Sequence, residues 1–244
     1  MTTLLNVKNL CKRDVLNDIS FTMEEGEMTA IMGPSGSGKS TLLYNVSGMD
    51  QADNGEVWLK GTELVCLSED EKASLRLNRM GFVFQQMNVL QNLNLLDNIM
   101  LPAVHAKKGK KEQQRRRALA LMGEFHIGEL AERGVTEVSG GQLQRACICR
   151  SMMLEPEILF ADEPTGALNQ SAAQEVMQAV LKLNGAGTSI LMVTHDSRVA
   201  SRCERILYLL DGKLRGELAL GKFKSQDERV REQKVSDWLG KMGW

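Results

Sequence analysis

Gly33-Pro34-Ser35-Gly36-Ser37-Gly38-Lys39-Ser40, followed by Thr41, decides how the chain folds. The stretch satisfies the phosphate-binding pattern G-x-x-x-x-G-K-[ST]. Its residue types follow from what a polyphosphate demands. The backbone must pass close to the anion, and Gly36 and Gly38 remove side chains where it does. The loop amides then converge on the phosphates at the N-terminus of the helix that follows, where the helix dipole also favours negative charge. Lys39 adds a full positive charge towards the β- and γ-phosphates, and Ser40 offers a hydroxyl to Mg²⁺. The flanks agree: residues 28–32 read as a short apolar strand, and residues 41–47 as a helix with Gly48 as its stop.

Outward from this loop, the composition is that of a globular chain. With 43% hydrophobic and 25% charged residues in 244, it supports one large α/β domain or a core with a substantial subdomain. The net charge of −1 gives no global attraction to nucleic acid or an anionic membrane, so no nucleic-acid partner is expected. No apolar run approaches the ~20 residues that cross a bilayer. Met1-Thr2-Thr3-Leu4 lacks the basic-then-apolar plan of a signal peptide, so a cytoplasmic location is expected. The cysteines at 11, 66, 147, 149 and 203 are odd in number and irregularly spaced, which reads as reduced structural thiols rather than a disulfide framework.

Residues 4–10 and 15–23 alternate apolar and polar, as antiparallel strands do. Asp53-Asn54-Gly55 reads as a hairpin turn before a strand at 56–60, and Gly61-Thr62 as another turn after it. Together these predict an N-terminal β layer. Residues 68–78 read as a helix, with Ser68 as cap and Glu71 as its capping-box partner. A short buried strand at 81–84 ends at Gln85. From 87 to about 133 the pattern is helical without a strand signal. The run Lys107-Lys108-Gly109-Lys110-Lys111 and Arg115-Arg116-Arg117 read there as a solvated loop and helix face. Ser139 and Gln142 form an S-x-x-Q capping box opening a helix with Leu143, Ala146, Cys147 and Leu154 on one face, ended by Pro156. The apolar run 158–161 suits a parallel strand buried on both faces and stops at Asp162-Glu163. A helix at 171–183 and a strand at 189–193 follow, the strand ending in Thr194-His195. The last strand is expected at 205–210. The charged tail carries Val235, Trp238, Leu239 and Met242 at helical spacing, a stripe for the chain's own surface or for a docking partner.

Several strands therefore stop at a polar residue or a binding loop. In a mostly parallel sheet the carboxyl ends of neighbouring strands open on one crevice. Asp162 can hold Mg²⁺ directly or through water. Gln85 can hold Mg²⁺ or orient an attacking water, since its amide both donates and accepts. Glu163 can polarise that water as general base. His195 can donate to the γ-phosphate or position Glu163.

This order of motifs resembles the ATP-binding subunit of ABC transporters over nearly the whole chain. The residues that carry the resemblance are the Gly33–Ser40 loop, the Gln85 loop, and Val138-Ser139-Gly140-Gly141-Gln142 as the family signature. Residues 158–163, Gly166-Ala167-Leu168-Asn169 as the D-loop, and His195 complete it. The resemblance implies a P-loop NTPase core with ATP and Mg²⁺ as ligands. In it, residues 1–86 and 156–218 form the core with its N-terminal antiparallel β layer, a helical subdomain (87–155) is inserted before the signature, and 219–244 form a C-terminal amphipathic helix. It also implies an ATP-sandwich homodimer in which Ser139, Gly140, Gly141 and Gln142 close the ATP of the other subunit. Met80-Gly81-Phe82-Val83-Phe84-Gln85-Gln86 and the segments 93–102 and 161–168 are similar to the branch that serves macrolide and peptide export, lipoprotein release and bacitracin-type resistance. That branch pairs with FtsX-like permeases, here expected to dock near Gln85 to Pro102 and hold the protein at the inner face of the cell membrane. The 238–244 tail is similar to tails of its peptide-resistance members. Two positions depart from the family. Residues 10–16 carry no aromatic to stack on adenine, leaving Arg13 as the candidate. The D-loop has Asn169 where Asp is common. The alternative functions are a soluble ABC-type ATPase of DNA repair or translation, and a nucleotide-gated module that does not hydrolyse; Glu163 argues against the second.

Overall fold

The computed structural model describes residues 2–244. In chain order its elements are β1 (Thr3–Lys12), β2 (Leu16–Glu24), β3 (Met28–Met32), α1 (Lys39–Val46), β4 (Asn54–Leu59), β5 (Thr62–Glu63), α2 (Glu69–Arg79) and β6 (Met80–Val83). There follow α3 (Leu95–His105), α4 (Lys111–Glu124), α5 (Gly140–Ser151), β7 (Ile158–Asp162), α6 (Gln170–Gly185), β8 (Ser189–Val193), α7 (Ser197–Ala200), β9 (Arg205–Leu210), β10 (Lys213–Ala219) and α8 (Glu228–Lys241). They gather into two compact units, one of residues up to Ala73 together with Gly187–Trp244, the other of Ser74–Ala186.

The first unit holds the antiparallel layer, in the order β2-β1-β4-β5. Val7 faces Phe21 on one side and Val57 on the other, so the alternating apolar positions Leu5, Val7, Ile19, Met23, Val57 and Leu59 are buried. Asn54-Gly55 does not turn the chain. Both residues lie inside β4, Asn54 opposite Cys11, where the register shifts after Lys8. Gly55 has φ +102, and a Cβ there would meet Asn9 O at 2.6 Å. The glycine serves close strand approach at a bulge, a use that local sequence does not distinguish from a turn. The chain does reverse where the second turn is expected, at Lys60 and Gly61, both at positive φ, between β4 and β5.

The same unit carries β10-β9-β3-β8, with β3 parallel to both β8 and β9. Every residue of β3 is buried, its apolar residues by packing and Thr29 with its hydroxyl donating to Glu27 Oε1 at 2.8 Å. Strand β10 was not expected. It pairs antiparallel with β9, and its residues alternate exposed and half-buried with none fully buried, so Leu214 and Leu218 give a weak signal among charges. What covers it is α8. Val235 and Leu239 are buried, and Trp238 and Trp244 meet the Tyr208 ring edge-on at 6.1 Å. Gly216 leaves room for Trp238 and Met242. The tail stripe thus packs on the chain's own sheet. Arg231, 6% exposed, donates to the carbonyls of Ser201, Cys203, Leu220, Gly221 and Lys222, tying α8 to the segments after α7 and after β10. Burial pushes the Cys203 thiol up to about 12, so it is neutral at pH 7.

In the second unit β6 and β7 run parallel, from Met80 opposite Ile158 to Val83 opposite Ala161. Phe82 stacks on Phe84 and Phe160, at 5.9 and 5.5 Å between centroids. Helix α3 is capped by Asn94, which accepts from Asp97 N, and continues through Pro102 to His105. Arg115 and Arg116 lie on the solvated face of α4, but Arg117 turns inward and donates to the carbonyls of Met152 and Met153. Helix α5 ends at Ser151, ahead of Pro156, and Leu154 packs from the turn beyond it.

Candidate nucleotide-binding site

In the first unit β3 runs directly into the phosphate loop. Gly33 touches the neighbouring strand: a Cβ there would lie 2.0 Å from Leu209 O, so no other residue fits. Gly38 caps α1 at φ +98 against Val15 and Leu16. Gly36, also at positive φ, is different, because the space its Cβ would fill is open. Ser35 and Thr41 complete the loop and the first turn of α1, which carries no acidic residue to neutralise its positive pole. Lys39 is 9% exposed, and its Nζ donates to Pro34 O at 2.8 Å. Ser37 Oγ is buried with no hydrogen-bond partner among the described residues. An unsatisfied buried hydroxyl, an uncompensated helix start and an open face over Gly36 together fit a polyphosphate.

His195 follows β8. Ile31 pairs with Val193 and Thr194 N donates to Ile31 O, so His195 stands at the strand end beside the one that carries the loop. Asp196 then caps α7. Next to Gly36 opens a cleft of about 830 Å³, lined among others by Arg13, Asp14, Val15, Asn17 and Asp211. No aromatic ring lines it, and the Arg13 backbone N–H is held by Asp53 Oδ2 at 2.6 Å.

The second unit brings together the other polar strand ends. Val83 pairs with Ala161, so Gln85 and Glu163 stand two residues past equivalent points on adjacent parallel strands. Asp162 ends β7 and is 7% exposed. Glu163 takes φ +44, a conformation that costs a non-glycine residue energy and concentrates at functional sites. A Cβ on Gly166 would lie 3.0 Å from Glu163 Oε2 and 3.1 Å from Gln85 Nε2. The carboxylate and the amide therefore converge over this glycine. The resemblance marks Gly166 as the start of the D-loop but not as the floor under both groups.

Helix α5 starts on the expected capping box: Ser139 Oγ accepts from Gln142 N, and Gln142 Oε1 accepts from Ser139 N. Ser139 and Gly140 are exposed, and the first turn has no acidic residue. Gly141 is packed so closely that a Cβ would sit 2.7 Å from the Cβ of Ala172. Ala172 belongs to α6, which Asn169 caps by accepting from Ala172 N at 2.9 Å. The amide at 169 thus does the capping work that Asp would do.

Residues 16–166 match the ABC transporter family. The chain is 42% identical over 201 residues to the macrolide export ATP-binding/permease protein MacB of Bartonella quintana (strain Toulouse), covering 82% of this chain but 30% of that protein. It is 40% identical over 222 residues to the lipoprotein-releasing system ATP-binding protein LolD of Aquifex aeolicus (strain VF5), covering 89% of this chain and 99% of that one. To the ABC transporter ATP-binding protein YxdL of Bacillus subtilis (strain 168) it is 37% identical, covering 100% of this chain and 96% of the other. The chain thus spans about a third of the macrolide-export relative and nearly all of the other two. Among solved structures, a dimeric ATP-binding cassette bound to ADP and phosphate in a post-hydrolysis state matches with a TM-score of 0.82 at 36% identity, over 90% of this chain and 100% of that one. The α/β fold is that of a P-loop nucleotide-binding cassette, and the chain belongs to the ABC transporter family as one of its ATP-binding components.

Proposed function

We propose that this chain binds ATP with Mg²⁺, hydrolyses it to ADP and phosphate, and so drives a membrane permease. The observation that carries this reading is the convergence of Glu163 and Gln85 over Gly166 in a chain with a complete phosphate loop. In this reading the loop amides and Lys39 hold the β- and γ-phosphates. Ser40, Asp162 and Gln85 are the oxygen ligands suited to Mg²⁺, which neutralises charge on the β- and γ-oxygens when bound. Glu163 takes a proton from water as its oxygen attacks the γ-phosphorus and the bond to the bridging oxygen breaks. His195 donates to the γ-phosphate.

The exposed start of α5, with no acidic residue in its first turn, suits an anion. This supports an ATP-sandwich homodimer in which Ser139, Gly140, Gly141 and Gln142 close the ATP of a second copy. The dimeric state of the similar ADP-bound cassette points the same way. Residues 1–86 and 156–218 then act as core, 87–155 as helical subdomain and 219–244 as tail. An FtsX-like permease would dock near Gln85 to Pro102 and hold the protein on the inner face of the membrane. No helix among the described residues is long and apolar enough to cross a membrane itself. The substrates in this reading are antimicrobial peptides or similar hydrophobic molecules, exported or resisted, with lipoprotein release as the second reading; one relative is named for macrolide export and another for lipoprotein release.

Tagged Glu163→Gln protein, pulled from detergent-solubilised membranes with ATP-Mg²⁺, is expected to bring down one polytopic membrane protein. Recovery of soluble proteins or nucleic acid alone would reject the permease. The ringless cleft gives a second expectation. If the Arg13 guanidinium stacks on the base, Arg13→Ala weakens ATP about 2–5-fold, the range of an exposed cation–π contact. Titration with a fluorescent ATP analogue measures it, and unchanged affinity removes Arg13 from the site.

A further inference from the structure

Beyond β6 the chain has neither helix nor strand until α3, and Gln85 lies in that stretch. Helix α5 holds it by four hydrogen bonds. Gln144 Nε2 donates to Phe84 O at 3.2 Å, and Cys147 Sγ to Met87 O at 3.3 Å. The two terminal nitrogens of Arg150 donate to Asn88 O at 2.8 Å and Met87 O at 2.9 Å. Residues 144, 147 and 150 recur every three positions, so they share one face of the helix whose first turn carries Gly140 and Gly141.

Arg150 is unlike its neighbours. Arg79, Arg115 and Arg145 in the same unit each pair with a carboxylate, Glu157, Glu132 and Glu175. Arg150 forms no ion pair among the described residues, and its two hydrogen bonds both reach the Gln85 loop. A planar fork on two consecutive carbonyls fixes direction as well as distance, which a single donor cannot do. Asn88 sits at φ +46, an unusual conformation for a non-glycine residue, and its carbonyl is one of the two held.

We propose that Arg150 is a positioning residue: it ties the Gln85 loop to the signature helix, so that the Gln85 amide stays over Gly166 beside Glu163 and moves with Ser139-Gly140-Gly141. The proposal rests on the ATPase reading for its consequence, but its geometry lies wholly within the second unit. When the helix start engages a second copy's nucleotide, the same rigid helix sets the amide that serves its own subunit. Cys147 adds a weak thiol donor, and Gln144 anchors the strand end.

The test uses the full-length Arg150→Met and Arg150→Lys proteins. Hydrogen exchange of residues 84–90 is expected to rise about tenfold or more in Arg150→Met, the scale of one lost charge-assisted hydrogen bond. The gain in ATP affinity on adding Mg²⁺ should shrink several-fold. Affinity in EDTA, which reports the phosphate loop, should hold, as should the melting temperature to within a few degrees. Lys, a single point charge, should recover part of the protection. Unchanged exchange and unchanged Mg²⁺ dependence would overturn the proposal. So would a broad loss of protection along α5 with EDTA affinity falling in parallel, since that marks a structural role only. Wild-type protein that binds no ATP would instead overturn the function reading and leave the exchange result to judge the loop.

Discussion

Replacing Glu163 with Gln is expected to lower ATP turnover by roughly 10²–10⁴-fold while ATP still binds. The substitution keeps the side chain's size and its place over Gly166, so Gln85 keeps its neighbour. What it removes is basicity. An amide oxygen accepts a hydrogen bond from water but does not take the proton as the P–O bond forms. The φ of +44 at this position should survive, because the surrounding turn holds it: Gly166 N donates to Glu163 O at 3.0 Å. Phosphate release measures the rate and equilibrium titration the affinity. Turnover within about threefold of wild type, far short of the usual loss for a missing base, would reject Glu163 in that role.

Lys39→Ala should fail differently, losing both affinity and rate. Lys39 is 9% exposed and its ammonium donates to the loop's own Pro34 carbonyl, so its charge acts with little screening by water. Loss of its charge-assisted hydrogen bonds should weaken ATP by about 10–100-fold. Loss of its stabilisation of developing charge should cost a further 10²–10³-fold, roughly, in turnover. Arg is not a remedy. Its planar fork presents its donors differently from a compact ammonium, so the phosphate contacts are not reproduced. The comparison separates the two roles: Glu163→Gln binds and stalls, whereas Lys39→Ala binds poorly. If Lys39→Ala protein binds ATP as wild type does, the loop is not the phosphate site.

Much of this was legible in the chain itself, for a physical reason. A phosphate loop needs glycines at set spacing, a lysine and a hydroxyl, and few other backbones need that combination. Buried parallel strands read as unbroken apolar runs because both faces are covered. Capping boxes such as Ser139 with Gln142 are local, so they too appear in sequence. The tertiary structure decided what depends on distant partners. Asn54-Gly55 carries a turn's composition, yet Asn9, far away in sequence, makes it a bulge inside a strand. Strand β10 exists because β9 pairs with it and α8 covers it, neither of which its own residues announce. Arg117 sits in a basic run but is drawn inward by the carbonyls of Met152 and Met153 just beyond the end of α5. The convergence of Gln85 and Glu163 over Gly166, and the grip of Arg150 on the loop between β6 and α3, depend on strand register and helix facing. Residues adjacent in sequence determined which groups were available; pairing between distant segments determined where they meet.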